Sequence, residues 1–323
     1  MSKPISQDLF PSRPGIIFMG TPHFAVPVLQ TLIHEKYEIL SVVTQPDRPK
    51  GRGQRLTPSP VKILTEENNL PILQPQRLDD EFLDLLFTLK PDLLIVVAFG
   101  QLIPGKVLRS AKWGGINIHA SLLPQYRGSA PIQWAIINNE KKTGLTTMFM
   151  DEGLDTGPIL MQQETDILPG ETAGQLHDRL SSLAPGLLMR TLEGLDNGTI
   201  KPRKQDNSLA THAPKLKKEQ GLINWSWPAE RLCGLIRGLD PWPGAFTYHN
   251  GKTMKLFGCF IADTMHNVRV PGQIRAVTDK GFEIETGKGI IIVKEIQVPG
   301  KKRLPVKEFQ KGSTVNVGSI LGK

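Results

Sequence analysis

Residues 93–99 read Leu93-Leu-Ile-Val-Val-Ala-Phe99, an apolar run that contains no polar residue and ends at Gly100. A run in which apolar residues do not alternate with polar ones predicts a strand buried on both faces, as in a parallel sheet covered by helices. Shorter runs predict further strands at residues 16–19, 39–44, 71–74, 116–119, 145–150 and 158–162. We therefore predict that the first part of the chain is an open α/β fold with right-handed crossovers.

Stretches with the periodicity of an α-helix separate these strands. Apolar residues recur at helical spacing in four stretches, which predict helices over residues 24–33, 82–89, 131–138 and 172–188. The last of them has a start signal, because Thr172 and Gln175 are spaced as a capping box. Strands that alternate with helices in this way place ligands beyond the carboxyl ends of the strands.

The character of the sequence changes after residue 200. Residues 201–219 lose all periodicity and predict a linker between a first domain, residues 1–200, and a second domain, residues 220–323. The second domain begins with a helix-like stretch, and its five short β-rich runs are residues 245–249, 253–259, 273–278, 282–285 and 290–298. Such runs predict a small β-barrel of the OB-like type, although the number of strands also fits other small barrels.

The charge of the chain is unevenly distributed. Residues 1–200 contain 18 Lys and Arg against 21 Asp and Glu, whereas residues 201–323 contain 21 against 10. The net charge of +8 therefore arises in the C-terminal part. A segment this basic favours a polyanionic partner such as RNA, and a solvated basic surface is the alternative.

Three further observations concern the compartment. The longest apolar run is far shorter than the roughly 20 residues that cross a bilayer, which excludes membrane insertion. The first eleven residues lack the apolar core of a signal peptide, so we expect a cytoplasmic protein. Cys233 and Cys259, the only cysteines, belong to no Cys-x-x-Cys motif, and we expect two buried thiols, with a disulfide as the alternative. The sequence contains no constellation of metal ligands.

The most informative motif is Asn117-Ile-His-Ala-Ser-Leu-Leu-Pro124, at the end of a predicted strand. Residues i and i+2 of a strand share a face, so Asn117 and His119 are expected to project together at the carboxyl edge of the sheet. An amide donor and a titratable imidazole then face one cleft. The alternative is that His119 is structural.

An acidic loop, Asp151-Glu-Gly-Leu-Asp-Thr-Gly157, follows the next predicted strand. Loops that follow neighbouring strands lie side by side, so we expect Asp155 to reach His119 and to fix its tautomer. A turn in which the Asp side chains cap backbone N–H groups is the alternative.

A second loop, residues 44–58, is basic. It contains four cations, Arg48, Lys50, Arg52 and Arg55, and only Asp47 opposes them. We predict a flexible arm that orders around phosphate, and a solvated loop is the alternative.

Five motifs together resemble the methionyl-tRNA formyltransferases: Gly20-Thr-Pro-His-Phe24, Gln45-Pro-Asp-Arg-Pro49, residues 117–124, Gly153-Leu-Asp-Thr-Gly157 and Pro241-Trp-Pro243. The first part alone is similar to the wider folate-dependent formyltransferases, whereas the basic loop and the C-terminal domain resemble the tRNA-specific family. One position departs from the family pattern: Gln125 stands where many relatives have a basic residue. The phosphate contact that such a residue would make is therefore not expected at this position.

The resemblance implies a Rossmann-like formyltransferase domain followed by an OB-like domain that helps to hold tRNA. It also implies transfer of the formyl group of 10-formyltetrahydrofolate to methionyl initiator tRNA. A monomer is our default expectation. The implied catalytic residues are Asn117, His119 and Asp155. The implied folate contacts are Ser121, Leu122, Leu123 and Pro124. The family's tRNA-binding Arg falls on Arg52, within the loop that also carries Arg48, Lys50 and Arg55.

Two other functions remain open at this point. One is formyl transfer to a small amine, or hydrolysis of the formyl-folate, but neither requires a basic C-terminal domain. The other is a non-catalytic RNA-binding protein on an enzyme scaffold, against which the intact Asn117, His119 and Asp155 argue.

Overall fold

The computed structural model describes residues 10–51, 53–262, 270–312 and 315–322. These residues form two compact units. The first unit contains the described residues up to Gly128, Gly144–Thr165 and His177–His212. The second contains Ser129–Thr143, Asp166–Leu176 and the described residues from Ala213 onward. Two segments that precede residue 200 thus cluster with the second unit, and the domain boundaries drawn from the sequence stay a prediction.

A seven-stranded sheet forms the centre of the first unit. The strands of this unit, in chain order, are β1 (Ile16–Gly20), β2 (Ile39–Val43), β3 (Arg48–Lys50), β4 (Arg55–Thr57), β5 (Ile72–Leu73), β6 (Leu93–Val97), β7 (Gly115–His119), β8 (Lys142–Phe149) and β9 (Ile159–Asp166). Their order in the sheet is β5-β2-β1-β6-β7-β8-β9, while β3 and β4 form a separate hairpin. The predicted α/β class is confirmed.

The direction of one strand corrects the prediction of a parallel sheet. β1 pairs in parallel with β2 and β6, and β6 pairs in parallel with β7. β8, however, runs antiparallel to β7. The apolar pattern could not show this, because a strand buried on both faces has the same composition in either direction. The connection between β7 and β8 includes residues 129–141, which cluster with the second unit.

The following helices lie before β7 or after β9, and two of them begin at a side-chain cap. They are α1 (Val26–His34), α2 (Pro60–Glu67), α3 (Asp80–Leu89), α4 (Gly105–Leu108) and, after α5 of the second unit, α6 (Ala173–Asp196). The backbone N–H of Lys62 donates to the Ser59 side chain at the start of α2, and Asp79 accepts from Phe82 in the same way at α3. Each cap satisfies a backbone N–H that has no partner within its helix. No described helix is long and apolar enough to cross a membrane.

The second unit combines helices with an antiparallel sheet. Its elements are α5 (Pro131–Ile137), α7 (Ala229–Gly238), β10 (Ala245–His249), β11 (Lys252–Ile261), β12 (Ile274–Thr278), β13 (Gly281–Glu285), β14 (Ile290–Gln297), β15 (Leu304–Pro305) and α8 (Val306–Gln310). The strand order is β10-β11-β14-β13-β12, and β15 pairs with β14. The β-rich character is confirmed, and the OB-like barrel stays a prediction.

Two glycines explain why α5 belongs to the second unit. A Cβ at Gly234 of α7 would lie 2.7 Å from the carbonyl oxygen of Ile137, and a Cβ at Gly238 would lie 2.9 Å from that of Gln133. Real Cβ atoms do not approach backbone oxygen that closely, so only glycine allows α5 and α7 to pack at this distance.

The two cysteines form a disulfide. Cys233 lies on α7 and Cys259 on β11, and their Cα atoms are 5.2 Å apart. The expectation of two separate thiols was therefore wrong. Its physical reason is that α7 packs on the sheet with the two cysteines facing each other in one core, where both side chains are buried. Spacing along the chain carries no information on such a contact.

Candidate active site

Asn117 and His119 lie in the last three residues of β7, on one face of the sheet. In the register of the sheet Asn117 lies opposite Val96 of β6 and Met148 of β8, and His119 lies opposite Thr146 of β8. Both are largely buried, with 9% and 7% of their surface exposed. The structure thus brings an amide and an imidazole together at the strand end, where the alternation of side chains predicted them.

The imidazole of His119 has two polar contacts within the described part of the chain. Its Nε2 lies 2.9 Å from the carbonyl oxygen of Tyr126, and its Nδ1 lies 3.6 Å from Oδ2 of Asp155. A carbonyl oxygen only accepts hydrogen bonds, so Nε2 carries the proton of the neutral ring. Nδ1 then holds a free lone pair, with a carboxylate beside it that stabilises the ring when Nδ1 gains a proton.

The carboxylate of Asp155 is held by the backbone. Its Oδ2 accepts a hydrogen bond from the N–H of Gly128 at 2.8 Å. Asp155 itself has a φ of 54°, in the left-handed region that few non-glycine residues adopt. The preceding turn is shaped by Asp151, whose Oδ1 accepts from the N–H of Gly153 at 3.0 Å and from Thr156 Oγ1 at 2.7 Å. The loop therefore contains both features that the sequence offered as alternatives: Asp151 caps a turn, and the carboxylate of Asp155 lies beside His119.

The amide of Asn117 is the open donor of this group. In the part of the chain that the structure describes, the Asn117 side chain has no hydrogen-bond partner. It is not enclosed either, because 9% of the residue is exposed. Its N–H groups are therefore available to an acceptor on a substrate.

The end of the acidic loop depends on a glycine. A Cβ at Gly157 would overlap the carbonyl oxygen of Phe149. We expect Gly157→Ala to lower the free energy of unfolding by about 1–3 kcal/mol or more, because backbone atoms must move to make room. Chemical denaturation measures this effect. The control is Gly186→Ala within α6, where the nearest atom would be the Arg190 side chain at 3.5 Å; this variant should be as stable as the parent or slightly more so. Equal stability of both variants would contradict the steric account.

The segment Ser121–Pro124 runs beside β8. Thr146 Oγ1 donates to the carbonyl oxygen of Ser121 at 2.6 Å and accepts from the N–H of Leu123 at 3.1 Å. Gln162 Nε2 donates to the carbonyl oxygen of Leu123 at 2.9 Å. These bonds use the polar backbone groups, whereas the side chains of Leu122 and Pro124 remain partly exposed. What the segment offers a ligand is therefore mainly apolar surface next to His119.

The basic loop differs from the flexible arm that the sequence predicted. Arg48 and Lys50 lie on β3 and Arg55 on β4, and the two strands pair as a hairpin. Arg52 lies outside the described residues. The hairpin is anchored at Asp47, which accepts from Lys62 at 2.8 Å and from Gln74 at 2.8 Å.

The electrostatics of the hairpin can be described from these contacts. The hydrogen bonds from Lys62 and Gln74 lower the pKa of the partly buried Asp47 carboxyl. Among the described side chains, no hydrogen bond or ion pair joins Arg48 or Arg55 to the Asn117, His119 and Asp155 group.

Residues that sequence reasoning missed hold this site together. Arg127 and Gln205 are both 5% exposed, and Arg127 Nη2 donates to Gln205 Oε1 at 2.7 Å. Thr211 Oγ1 accepts from the N–H of Tyr126 at 2.8 Å. Gln205 and Thr211 lie in residues 201–219, which the sequence predicts to be a linker. Sequence reasoning missed them because a polar segment without periodicity gives no sign that one of its side chains is buried. Among the described residues, no group of three or more His, Cys, Asp or Glu side chains is placed to hold a metal ion.

The chain matches known proteins along nearly its whole length. Residues 15–192 match the profile of the family described as formyl transferase, and residues 215–314 match that described as formyl transferase, C-terminal domain. The methionyl-tRNA formyltransferase of Geobacter sulfurreducens is 48% identical over 309 residues, which are 95% of this chain and 96% of that protein. That of Citrifermentans bemidjiense is 46% identical over 309 residues, again 95% and 96%.

The chain belongs to the methionyl-tRNA formyltransferase family. The resemblance inferred from the five motifs is therefore confirmed. The solved methionyl-tRNA formyltransferase from Clostridium thermocellum is 17% identical, with a TM-score of 0.56 over 88% of this chain and 97% of that one. This likeness concerns the fold alone. Together with the family profiles, it confirms the Rossmann-like formyltransferase domain followed by a β-rich C-terminal domain.

Proposed function

We propose that this chain transfers the formyl group of 10-formyltetrahydrofolate to the amino group of methionyl initiator tRNA. The product is N-formylmethionyl-tRNA, which serves translation initiation. The observation that carries the proposal is the group at the end of β7: an open amide on Asn117 next to the His119 imidazole, which has Asp155 at 3.6 Å. This group lies in a chain that is similar to methionyl-tRNA formyltransferases over both domains.

The reaction requires an oxyanion site. The unprotonated amine attacks the formyl carbon, and the carbonyl oxygen takes up negative charge in the tetrahedral species. The side-chain N–H groups of Asn117 are proposed to donate to this oxygen. Donors that are fixed in place before the reaction stabilise such charge strongly, because they do not have to reorganise.

The reaction also moves protons. We assign proton transfer to Nδ1 of His119, since Nε2 is occupied by the carbonyl oxygen of Tyr126 at 2.9 Å. Nδ1 accepts a proton from the attacking nitrogen, and the ring returns it to the folate nitrogen as the C–N bond to the formyl carbon breaks. Asp155 balances the positive charge of the imidazolium between these two steps.

The formyl donor is a substrate with a flat ring system and a polar tail. Ser121, Leu122, Leu123 and Pro124 are proposed to contact it. The apolar surface of Leu122 and Pro124 suits the ring, because the polar backbone groups of Leu123 are already hydrogen-bonded within the protein.

The acceptor tRNA is assigned to the basic regions. We propose that Arg48, Lys50, Arg52 and Arg55 contact its phosphates and that the basic C-terminal domain helps to hold it, with residues 1–200 catalytic, 201–219 a linker and 220–323 binding tRNA. We also propose a monomer, located in the cytoplasm and without membrane association.

The basic hairpin gives a prediction on salt dependence. Arg55→Ala is expected to raise KM for methionyl-tRNA, leave KM for the folate unchanged, and reduce the slope of log binding against log salt by about one, since one phosphate contact is lost. Filter binding at several salt concentrations measures the slope. Arg190→Ala, which removes an arginine of α6, is the control and should leave the slope unchanged. Equal slopes for Arg55→Ala and the parent would exclude the hairpin from tRNA binding.

Consumption of the folate tests the proposed reaction against its alternatives. The purified chain is incubated with 10-formyltetrahydrofolate, with and without methionyl-tRNA, and release of tetrahydrofolate is followed. We expect release only when methionyl-tRNA is present. Release without any tRNA would indicate a hydrolase, release with a small amine in place of tRNA would indicate a small-amine transferase, and no release under any condition would indicate a binding protein.

A further inference from the structure

Gln205 is buried beside the site, and every polar group of its side chain is bonded. Its Nε2 donates to the carbonyl oxygens of Asp155 at 2.9 Å and Gly157 at 2.7 Å. Its Oε1 accepts from Arg127 Nε at 3.1 Å and Nη2 at 2.7 Å. A glutamine amide has two N–H donors and one oxygen with two lone pairs, so this residue has no capacity left for solvent or substrate.

Arg127 links Gln205 to both partners of the proposed chemistry. The residue before it, Tyr126, presents its carbonyl oxygen to His119 Nε2 at 2.9 Å. The residue after it, Gly128, donates its N–H to Asp155 Oδ2 at 2.8 Å. A ring of contacts therefore runs from Gln205 through the Arg127 segment to His119 and Asp155, and returns to Gln205 through the backbone of the acidic loop.

The backbone of Asp155 requires such support. Its φ of 54° lies in the left-handed region, and a non-glycine residue stays there only where its surroundings fix it. Gln205 donates hydrogen bonds to the carbonyl groups of Asp155 and Gly157, so it fixes the loop on both sides of Thr156.

We propose that Gln205 is a positioning residue of the formyl transfer: it fixes the backbone of the acidic loop so that the Asp155 carboxylate faces His119 Nδ1. This inference rests on the role proposed for Asp155. Gln205 takes no part in the chemistry itself: the bonds that carry this role are those to the acidic loop, and their effect on the reaction passes through the Asp155 carboxylate.

The test uses two variants of Gln205. Gln205→Glu keeps an acceptor for Arg127 but turns an oxygen toward the two carbonyl oxygens. Gln205→Met keeps the length of the side chain and removes the hydrogen bonds to Arg127, Asp155 and Gly157. Both should lower kcat on the order of 10²-fold, because small displacements of a catalytic group have effects of this size, and both should leave KM for the folate and for methionyl-tRNA unchanged. Circular dichroism confirms that each variant is folded.

A matched control exists in the same unit. Gln163 also accepts a hydrogen bond from an arginine, Arg190 Nη2 at 2.6 Å, but at an exposed position. Gln163→Glu makes the same chemical change and should leave kcat at the parental value.

Coupling to Asp155 separates positioning from a general structural role. If Gln205 acts through Asp155, adding Gln205→Met to Asp155→Asn should lower kcat no further than Asp155→Asn alone. Multiplicative losses in the double variant, or a parental kcat in folded Gln205→Met and Gln205→Glu, would overturn the inference while the role of Asp155 stands. A parental kcat in Asp155→Asn would instead remove Asp155 from the proposed function and the inference with it.

Discussion

Replacing His119 with alanine is expected to lower kcat by roughly 10² to 10⁴, the usual contribution of a positioned proton-transfer group. The imidazole lies at the end of β7, and the polar group beside its Nδ1 among the described residues is the Asp155 carboxylate, at 3.6 Å. Binding of methionyl-tRNA should be retained, because the proposed tRNA contacts lie on the basic hairpin and the C-terminal domain. Single-turnover formylation with saturating substrates measures the effect on the chemical step.

The chain offers a matched control for this experiment. His177 Nδ1 also lies beside a carboxylate, that of Asp178 at 2.9 Å, but this pair is on α6, where His177 is partly exposed and Asp178 largely exposed. His177→Ala should retain the parental kcat. A folded His119→Ala variant with parental kcat would remove the imidazole from the mechanism.

The second large effect is expected at Asn117. Asn117→Ala should lower kcat by about 10² to 10³, equivalent to about 2.7–4 kcal/mol, the cost of removing one oxyanion donor. KM for both substrates should change little, because the charge that Asn117 stabilises exists only in the transition state. Steady-state kinetics on both substrates separates the two parameters.

The pattern of the kinetic change decides the role of Asn117. An increase in KM with an unchanged kcat would mean that the amide binds the ground state and would falsify its assignment as an oxyanion donor. The control is Asn68→Ala, which removes an exposed amide that donates to the carbonyl oxygen of Leu64 at 2.8 Å. This variant should keep both parameters.

Periodicity predicted the part of the structure that local sequence determines. Buried strands such as β6 and β7 consist of apolar residues on both faces, so their positions can be read from the sequence alone. The placement of Asn117 and His119 followed from the same rule, since residues two apart share a face. The capping box of α6 is also local: the N–H of Thr172 donates to Gln175 Oε1 at 3.0 Å.

What the sequence could not show depends on contacts between distant residues. The antiparallel direction of β8 leaves no trace in its composition, and the disulfide between Cys233 and Cys259 depends on how α7 packs on β11. Gln205 is the clearest case, because it bonds to residues about 50 and 80 positions earlier, at Asp155 and Arg127. Sequence motifs predicted the residues of the candidate site, whereas the residues that hold them in place could be found only in the fold.

The most direct measurement is the amount of formylmethionine formed when the purified chain is incubated with 10-formyltetrahydrofolate and either methionyl initiator tRNA or methionyl elongator tRNA. We expect formylmethionine on the initiator, far less on the elongator, and a loss of the product with His119→Ala. Consumption of the folate without formylmethionine on either tRNA would contradict the proposed function.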